Sequence, residues 1–154
     1  MAEKESIDYQ KGLLTALVCE NNQELQKMII SALEDLRYKV AFSINAEDAL
    51  EKIKFNQYDV IVLNETFDGK SPETNEVLQQ LKTMPMAARR HICLALTGKS
   101  LPTKDNLSAF ERSANVVINE TDLSNFKNII ENAVFDNKQF YKIYNESLIK
   151  LGKR

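Results

Sequence analysis

The sequence predicts a doubly wound α/β domain, a parallel five-stranded sheet with helices on both faces. Three observations carry that expectation. Val60-Ile61-Val62-Leu63 is a short unbroken aliphatic run, β-branched at three of four places, which suits a strand covered on both sides. Similar apolar runs alternate along the chain with stretches whose apolar residues recur at steps of three and four. The connections between them are short and rich in Asn, Gly and Pro, so strands and helices follow one another without long excursions.

Each element can be justified in order. Residues 1–11 read as a polar leader, and 12–137 as the folded domain. Leu13 to Cys19 reads as a first buried strand, followed by Glu20-Asn21-Asn22. Leu25, Met28, Ile29, Ala32, Leu33 and Leu36 then form one helix face, with Asn22 as N-cap. Tyr38 to Ser43 is a short strand, and Asn45 caps a second helix whose first turn carries Glu47 and Asp48. The central run from Tyr58 ends at Asn64, and a loop with Gly69 and Pro72 leads to a third helix through Val77, Leu78, Leu81 and Met84. Met84-Pro85 ends it, because proline lacks a donor and restricts the residue before it. His91 to Thr97 is a fourth strand closed by Gly98; Leu107 and Phe110 mark a thin fourth helix; Asn115 to Asn119 is a fifth strand. From Thr121, read as a cap, helical periodicity runs nearly to the end. Right-handed crossovers leave few arrangements, and at this length the flavodoxin-like order 2-1-3-4-5 is the natural one. Its switch point brings the ends of strands one and three together, setting Cys19 and Glu20 beside Asn64, with Thr97 and Asn119 on the same rim.

Composition narrows the function classes. With 154 residues, 44% of them apolar, the chain suffices for one compact core. A formal net charge of −2 gives no global basic field for nucleic acid or anionic lipid. No apolar run approaches a membrane span, and Met1 to Gln10 lacks the apolar core of a signal peptide, so a cytoplasmic location is expected. Cys19 and Cys93 lie far apart among aliphatic residues and read as buried free thiols rather than a disulfide or metal pair. His91 reads as a surface residue rather than a ligand, and Arg89-Arg90-His91, basic for three residues only, as a solvated turn rather than a phosphate site. Only four glycines are present and none forms a phosphate-cradling loop, which disfavours a small-molecule binder of the flavodoxin kind.

Asn45-Ala46-Glu47-Asp48-Ala49-Leu50, Met84-Pro85 and Ile92-Cys93-Leu94-Ala95-Leu96-Thr97-Gly98, in this order and spacing, resemble the receiver domain of bacterial response regulators over Leu13 to Val134. The resemblance implies a phosphorylation pocket and shows where this chain departs from one. The family's acidic pair after strand one is matched by Cys19 and Glu20, its phosphoacceptor aspartate by Asn64, and its hydroxyl after strand four by Thr97. Its lysine and cis-bonded proline are matched by Asn119 and Glu120, and its aromatic switch residue by Val116. The loop after Asn64 is shorter than the family's methionine-proline turn.

These departures have a chemical meaning. An amide oxygen is far less basic than a carboxylate and gives no stable acyl phosphate. Magnesium prefers carboxylates, water and phosphate oxygens, and two of the three expected carboxylates are replaced by thiol and amide. Phosphoryl transfer is mostly positioning and charge stabilisation, and Asn119 supplies no cation. The resemblance therefore implies a non-enzymatic pseudo-receiver, without cofactor or metal, that works in signal transduction by binding proteins. The alternative is an atypical receiver still phosphorylated by a histidine kinase through an acidic pocket rebuilt from Glu20 and Glu65. Side-chain alternation along a strand points Glu65 away from Asn64 unless the loop bends.

Residues 138–154 form a helical extension. Leu123, Ile130, Asn137, Tyr144 and Leu151 recur every seven residues, as do Phe126, Ala133, Phe140 and Ser147, which fits a heptad seam with Asn137 fixing register. Phe140, Tyr141, Tyr144 and Leu148 are the candidate interface. Two readings stay open: the extension folds back over its own domain, or it forms a homodimer or partner surface.

Overall fold

In the computed structural model the backbone is described for residues 14–150 and side chains for residues 14–143. The leader and the side chains of Tyr144 and Leu148 lie outside the described residues. The strands are β1 (Leu14–Cys19), β2 (Tyr38–Ser43), β3 (Val60–Asn64), β4 (Cys93–Gly98) and β5 (Val116–Asn119), all parallel in the order β2-β1-β3-β4-β5. The helices are α1 (Gln23–Asp35), α2 (Ala46–Phe55), α3 (Glu76–Thr83), α4 (Asn106–Glu111) and α5 (Phe126–Lys150). This is the three-layer flavodoxin-like arrangement the sequence predicts.

Side-chain alternation divides the core into two. Leu17, Cys19, Ile61, Leu63, Leu94, Leu96 and Val117 face one way and pack under α2, α3 and α4. Ala16, Val18, Val60, Val62, Cys93, Ala95, Val116 and Ile118 face the other and pack under α1 and α5. Both faces of the sheet are dry, which is why its central strands are nearly continuous aliphatic runs.

Helix starts follow the caps. Asn22 Oδ1 accepts from the Leu25 amide at 3.1 Å and Asn45 Oδ1 from the Asp48 amide at 2.7 Å. Asn75, 1% exposed, caps α3 by accepting from the Leu78 amide, and its Nδ2 donates to the carbonyls of Asn64 and Glu65 at 3.1 and 3.0 Å. One side chain thus starts a helix and fixes the end of the central strand.

Two expectations need correction. Thr121 is not the cap of the last helix: Asn119 Oδ1 accepts from the Thr121 amide at 3.0 Å and opens a 3-10 turn over Glu120–Asn125, and α5 begins at Phe126. Met84-Pro85 ends α3, but a further helical turn, Met86–Arg89, follows before β4. Asn137, expected to fix register in a heptad seam, makes contacts within its own domain: it accepts from Asn115 Nδ2 at 3.0 Å and donates to the Arg90 carbonyl at 3.4 Å. Helix α5 runs through residue 137 without a break, and its buried face is Phe126, Ile129 and Ile130. Tyr141 also returns to the domain, its hydroxyl donating to Met86 Sδ at 3.7 Å.

Candidate functional site

The carboxyl edge of the sheet holds a polar cluster centred on Asn64. The register pairs Cys19 with Leu63 and Asn64 with Thr97, so the first residue beyond β1 stands level with Asn64. That residue is Glu20, 4% exposed, and its Oε1 accepts from Asn64 Nδ2 at 2.9 Å. The second hydrogen of the same amide goes to Glu120 Oε2, also at 2.9 Å. Asn64 Oδ1 accepts from the Thr66 amide at 3.0 Å and from Thr66 Oγ1 at 2.9 Å. An asparagine has two donor hydrogens and two acceptor lone pairs, and here all four are used. Donation to carboxylates also fixes which way the amide faces.

The loops around this cluster are tied to one another. Asn21 Oδ1 accepts from the Asp68 amide at 2.7 Å while its Nδ2 donates to the Ile44 carbonyl at 2.6 Å. Asp68, at a φ of 62°, turns its carboxylate to accept from the Ala46 amide at 3.0 Å. Left-handed backbone is rare for side chains other than Asn, Asp and Gly, and this aspartate takes it up to join two loops. A recess of about 210 Å3 remains, lined by Glu20, Asn21, Asn64, Thr66, Lys99 and Glu120.

Several residues expected here lie elsewhere. Cys19 is fully buried on the opposite face, under α2, and burial raises its thiol far above the ordinary range, with Asp48 adding to the effect. Asn119 is turned away as well, its Nδ2 donating to the carbonyls of Lys99 and Leu101 at 3.0 and 2.7 Å. Thr97 is on the expected strand but wholly buried, and its Oγ1 has no partner. Val116 is buried beneath α5. The residue that strand five delivers to the cluster is Glu120.

Glu65 also points away from Asn64. It is 4% exposed, its Oε1 lies 3.5 Å from Arg112 Nε, and Ser100 Oγ donates to its Oε2 at 3.5 Å. The contact with Arg112 is a charge pair without hydrogen-bond geometry, since neither of those two atoms has a hydrogen-bond partner. Gly98 makes room for this side chain: a Cβ there would stand 2.5 Å from Glu65 Oε2.

The arrangement does not fit a magnesium ion. One oxygen each of Glu20 and Glu120 receives an Asn64 N–H, and the Asn64 carbonyl oxygen faces Thr66 instead of the carboxylates. Among the described residues, no three His, Cys, Asp or Glu side chains are grouped to hold a metal. Nor is any described helix long and apolar enough to cross a membrane.

The signal that could have found Glu120 is parity. Residues 16, 18 and 20, residues 60, 62 and 64, and residues 116, 118 and 120 continue single faces of their strands. Cys19 and Asn119 are off that series by one.

No family model matches the chain, and no curated protein matches it. Solved structures do match in fold. The receiver domain of a DNA-binding response regulator (merR) from Colwellia psychrerythraea 34H superposes with a TM-score of 0.62 at 21% identity, covering 79% of this chain and 98% of that one. A CheY-like receiver domain protein from Methanospirillum hungatei JF-1 gives 0.64 at 12% identity, covering 82% and 98%. The phosphorylated cyanobacterial phytochrome response regulator RcpA gives 0.58 at 20% identity, covering 77% and 89%. The chain therefore has the fold of response-regulator receiver domains, with an amide between two carboxylates at the carboxyl edge of its central strand.

Proposed function

We propose that this protein is a phosphorylation-independent pseudo-receiver that acts in signal transduction by binding other proteins. The observation that carries the reading is the closed network of Asn64, with both amide hydrogens on Glu20 and Glu120 and both lone pairs on Thr66. A phosphoryl group approaching this edge meets no anionic nucleophile at position 64. It meets two carboxylates, with Lys99 the single cation among the lining residues, where stabilisation of its own negative charge requires cations. Glu65 does not take over as acceptor, because it is held on the other face beside Arg112.

A binding role is supported by the face around β5. Leu107 and Phe110 on α4 are 65% and 81% exposed, and Phe140 on α5 is 61% exposed. Phe110 and Phe140 line a recess of about 580 Å3 over the edge strand. Apolar side chains of this size around a concavity favour a protein partner, which includes a second copy of this chain.

The experiment is incubation with magnesium and acetyl phosphate, read by intact mass. The expected result is an unchanged mass for the wild-type chain. A gain of one phosphate, mapped to Glu20, Glu65 or Glu120, would overturn the proposal in favour of an atypical receiver with a rebuilt acidic pocket.

A further inference from the structure

At the end of the sheet opposite the Asn64 cluster, the turn before β4 faces the outer part of α5 across a cleft of about 310 Å3. Arg90 and His91 come from the turn, Lys138 and Lys142 from α5, and Cys93, Val134 and Tyr141 form the apolar floor. Lys138 and Lys142 are one helical turn apart and present both charges to the same side. None of the four basic side chains has an ion pair among the described residues, whose pairs are Lys52–Asp48, Arg112–Glu65 and Lys127–Asp35. Arg90 Nε is buried without a hydrogen-bond partner.

Two neighbours sharpen the reading. Asp59 is the acid in the cleft wall, and its Oδ2 already accepts from the Thr15 amide at 2.8 Å and from Thr15 Oγ1 at 3.3 Å. Arg89 is turned inward, donating to the carbonyls of Ile92 and Ser113 and to Asn115 Oδ1, so it braces the turn and leaves Arg90 at the cleft. Asn137 holds the two walls together through the Arg90 carbonyl.

We infer that this cleft binds a small dianion of the phosphate class, a free phosphomonoester or inorganic phosphate, with Arg90 as the fork and Lys138 and Lys142 as point charges. Guanidinium geometry matches two phosphate oxygens, and ammonium groups neutralise the rest. A cleft of about 310 Å3 has room for a phosphate, and a recessed cleft favours a soluble ligand over the flat surface of a bilayer. The ligand would bridge the turn and α5, and so hold the last helix to the domain at a point well away from the Asn64 cluster.

The test is an amide chemical-shift titration of the full chain with inorganic phosphate and with O-phosphoserine, at ionic strength matched with sodium chloride. Saturable shifts at Arg90, His91, Cys93, Lys138 and Tyr141, with Glu20 and Asn64 unmoved, are expected. Arg90→Gln should weaken binding roughly tenfold or more, from loss of a charge-assisted bidentate contact. The surface variant Lys138→Gln/Lys142→Gln should do the same without altering the fold, and Lys39→Gln should leave affinity unchanged. Shifts that chloride reproduces, no saturation at millimolar phosphate, or full affinity in the double-lysine variant would each overturn the inference. A parallel arm uses phosphatidylcholine vesicles containing phosphatidic acid; co-sedimentation without binding of the soluble phosphates would refute it in favour of a membrane headgroup site.

Discussion

Asn64→Asp is the most informative single change, because it exchanges one NH2 for one oxygen at the centre of the cluster. The wild-type amide donates one hydrogen to Glu20 and the other to Glu120, both at 2.9 Å. A hydrogen bond to a charged group contributes about 1.5–3 kcal/mol, and the substitution removes two. It also places a third carboxylate against the first two. Two like charges about 4 Å apart repel by about 4 kcal/mol at an effective dielectric of about 20, and relaxation of the half-buried Glu120 toward water relieves part of that. Glu20, 4% exposed, cannot relax in the same way. Uptake of a proton at position 64 relieves most of the repulsion, so the two lost hydrogen bonds set the scale, and we expect a net loss of about 3–6 kcal/mol at neutral pH, a large share of the stability of a domain this size.

The pH dependence has a definite sign. The introduced carboxyl, facing two others, holds its proton more tightly in the folded than in the unfolded chain. The folded variant thus binds more protons, and its deficit against wild type shrinks as pH falls and grows as pH rises. Urea unfolding of both proteins at pH 5 and pH 7, followed by circular dichroism, measures it. A deficit below about 1 kcal/mol at pH 7, or one that widens on acidification, would show that the carboxylates are not fixed around position 64. The same variant should gain no phosphate from acetyl phosphate, since Glu120 stands where a cation is needed.

Other outcomes follow from features already described. Gly98→Ala should destabilise the fold by about 1–3 kcal/mol in chemical denaturation, because its Cβ would stand 2.5 Å from the buried Glu65 carboxylate. The Cys93 thiol and the Tyr38 hydroxyl are pushed up to about 12 by burial, and Cys19 is raised further still. Their protonated forms are thus favoured by folding; that stability is complete below the ordinary thiol range and is lost as pH rises from about 9 toward 12. Melting temperature should fall across that window, and native-state alkylation at pH 8 should be slow at both cysteines; rapid modification would contradict their burial. Relaxation dispersion on the methyl groups of Thr97, Val116 and Val117 should show no millisecond exchange, because the buried Val116 has few rotamers and no polar tip to move between core and solvent. Two comparably populated states there would refute a single conformation.

The fold was legible because both faces of this sheet are dry. Runs such as Val60 to Leu63 announce a doubly covered strand, and Asn22 and Asn45 announce helix starts by a local hydrogen bond that needs no tertiary partner. The site was only half legible. Glu20, Asn64 and Thr97 lie on one sheet face at that edge, whereas Cys19 and Asn119 occupy the adjacent positions, whose side chains lie on the other face. Glu120 lies one residue past the strand, and the alternation of β5, continued through the turn that Asn119 starts, brings it to Asn64. The placement of Asn137 was hidden for a different reason. A heptad pattern describes one face of a helix and does not say whether that face meets another helix or the sheet of its own domain.

The end of β3 has a mechanical consequence. Two adjacent residues leave the strand toward opposite layers, Asn64 into the carboxylate cluster and Glu65 toward Arg112 at the close of α4. The peptide between them is pinned twice, by the Glu65 amide on the Thr97 carbonyl at 2.8 Å and by Asn75 beneath both carbonyls. The carboxylate cluster on one side of the sheet and the Arg112 contact on the other therefore hang from a single peptide unit that is fixed in place.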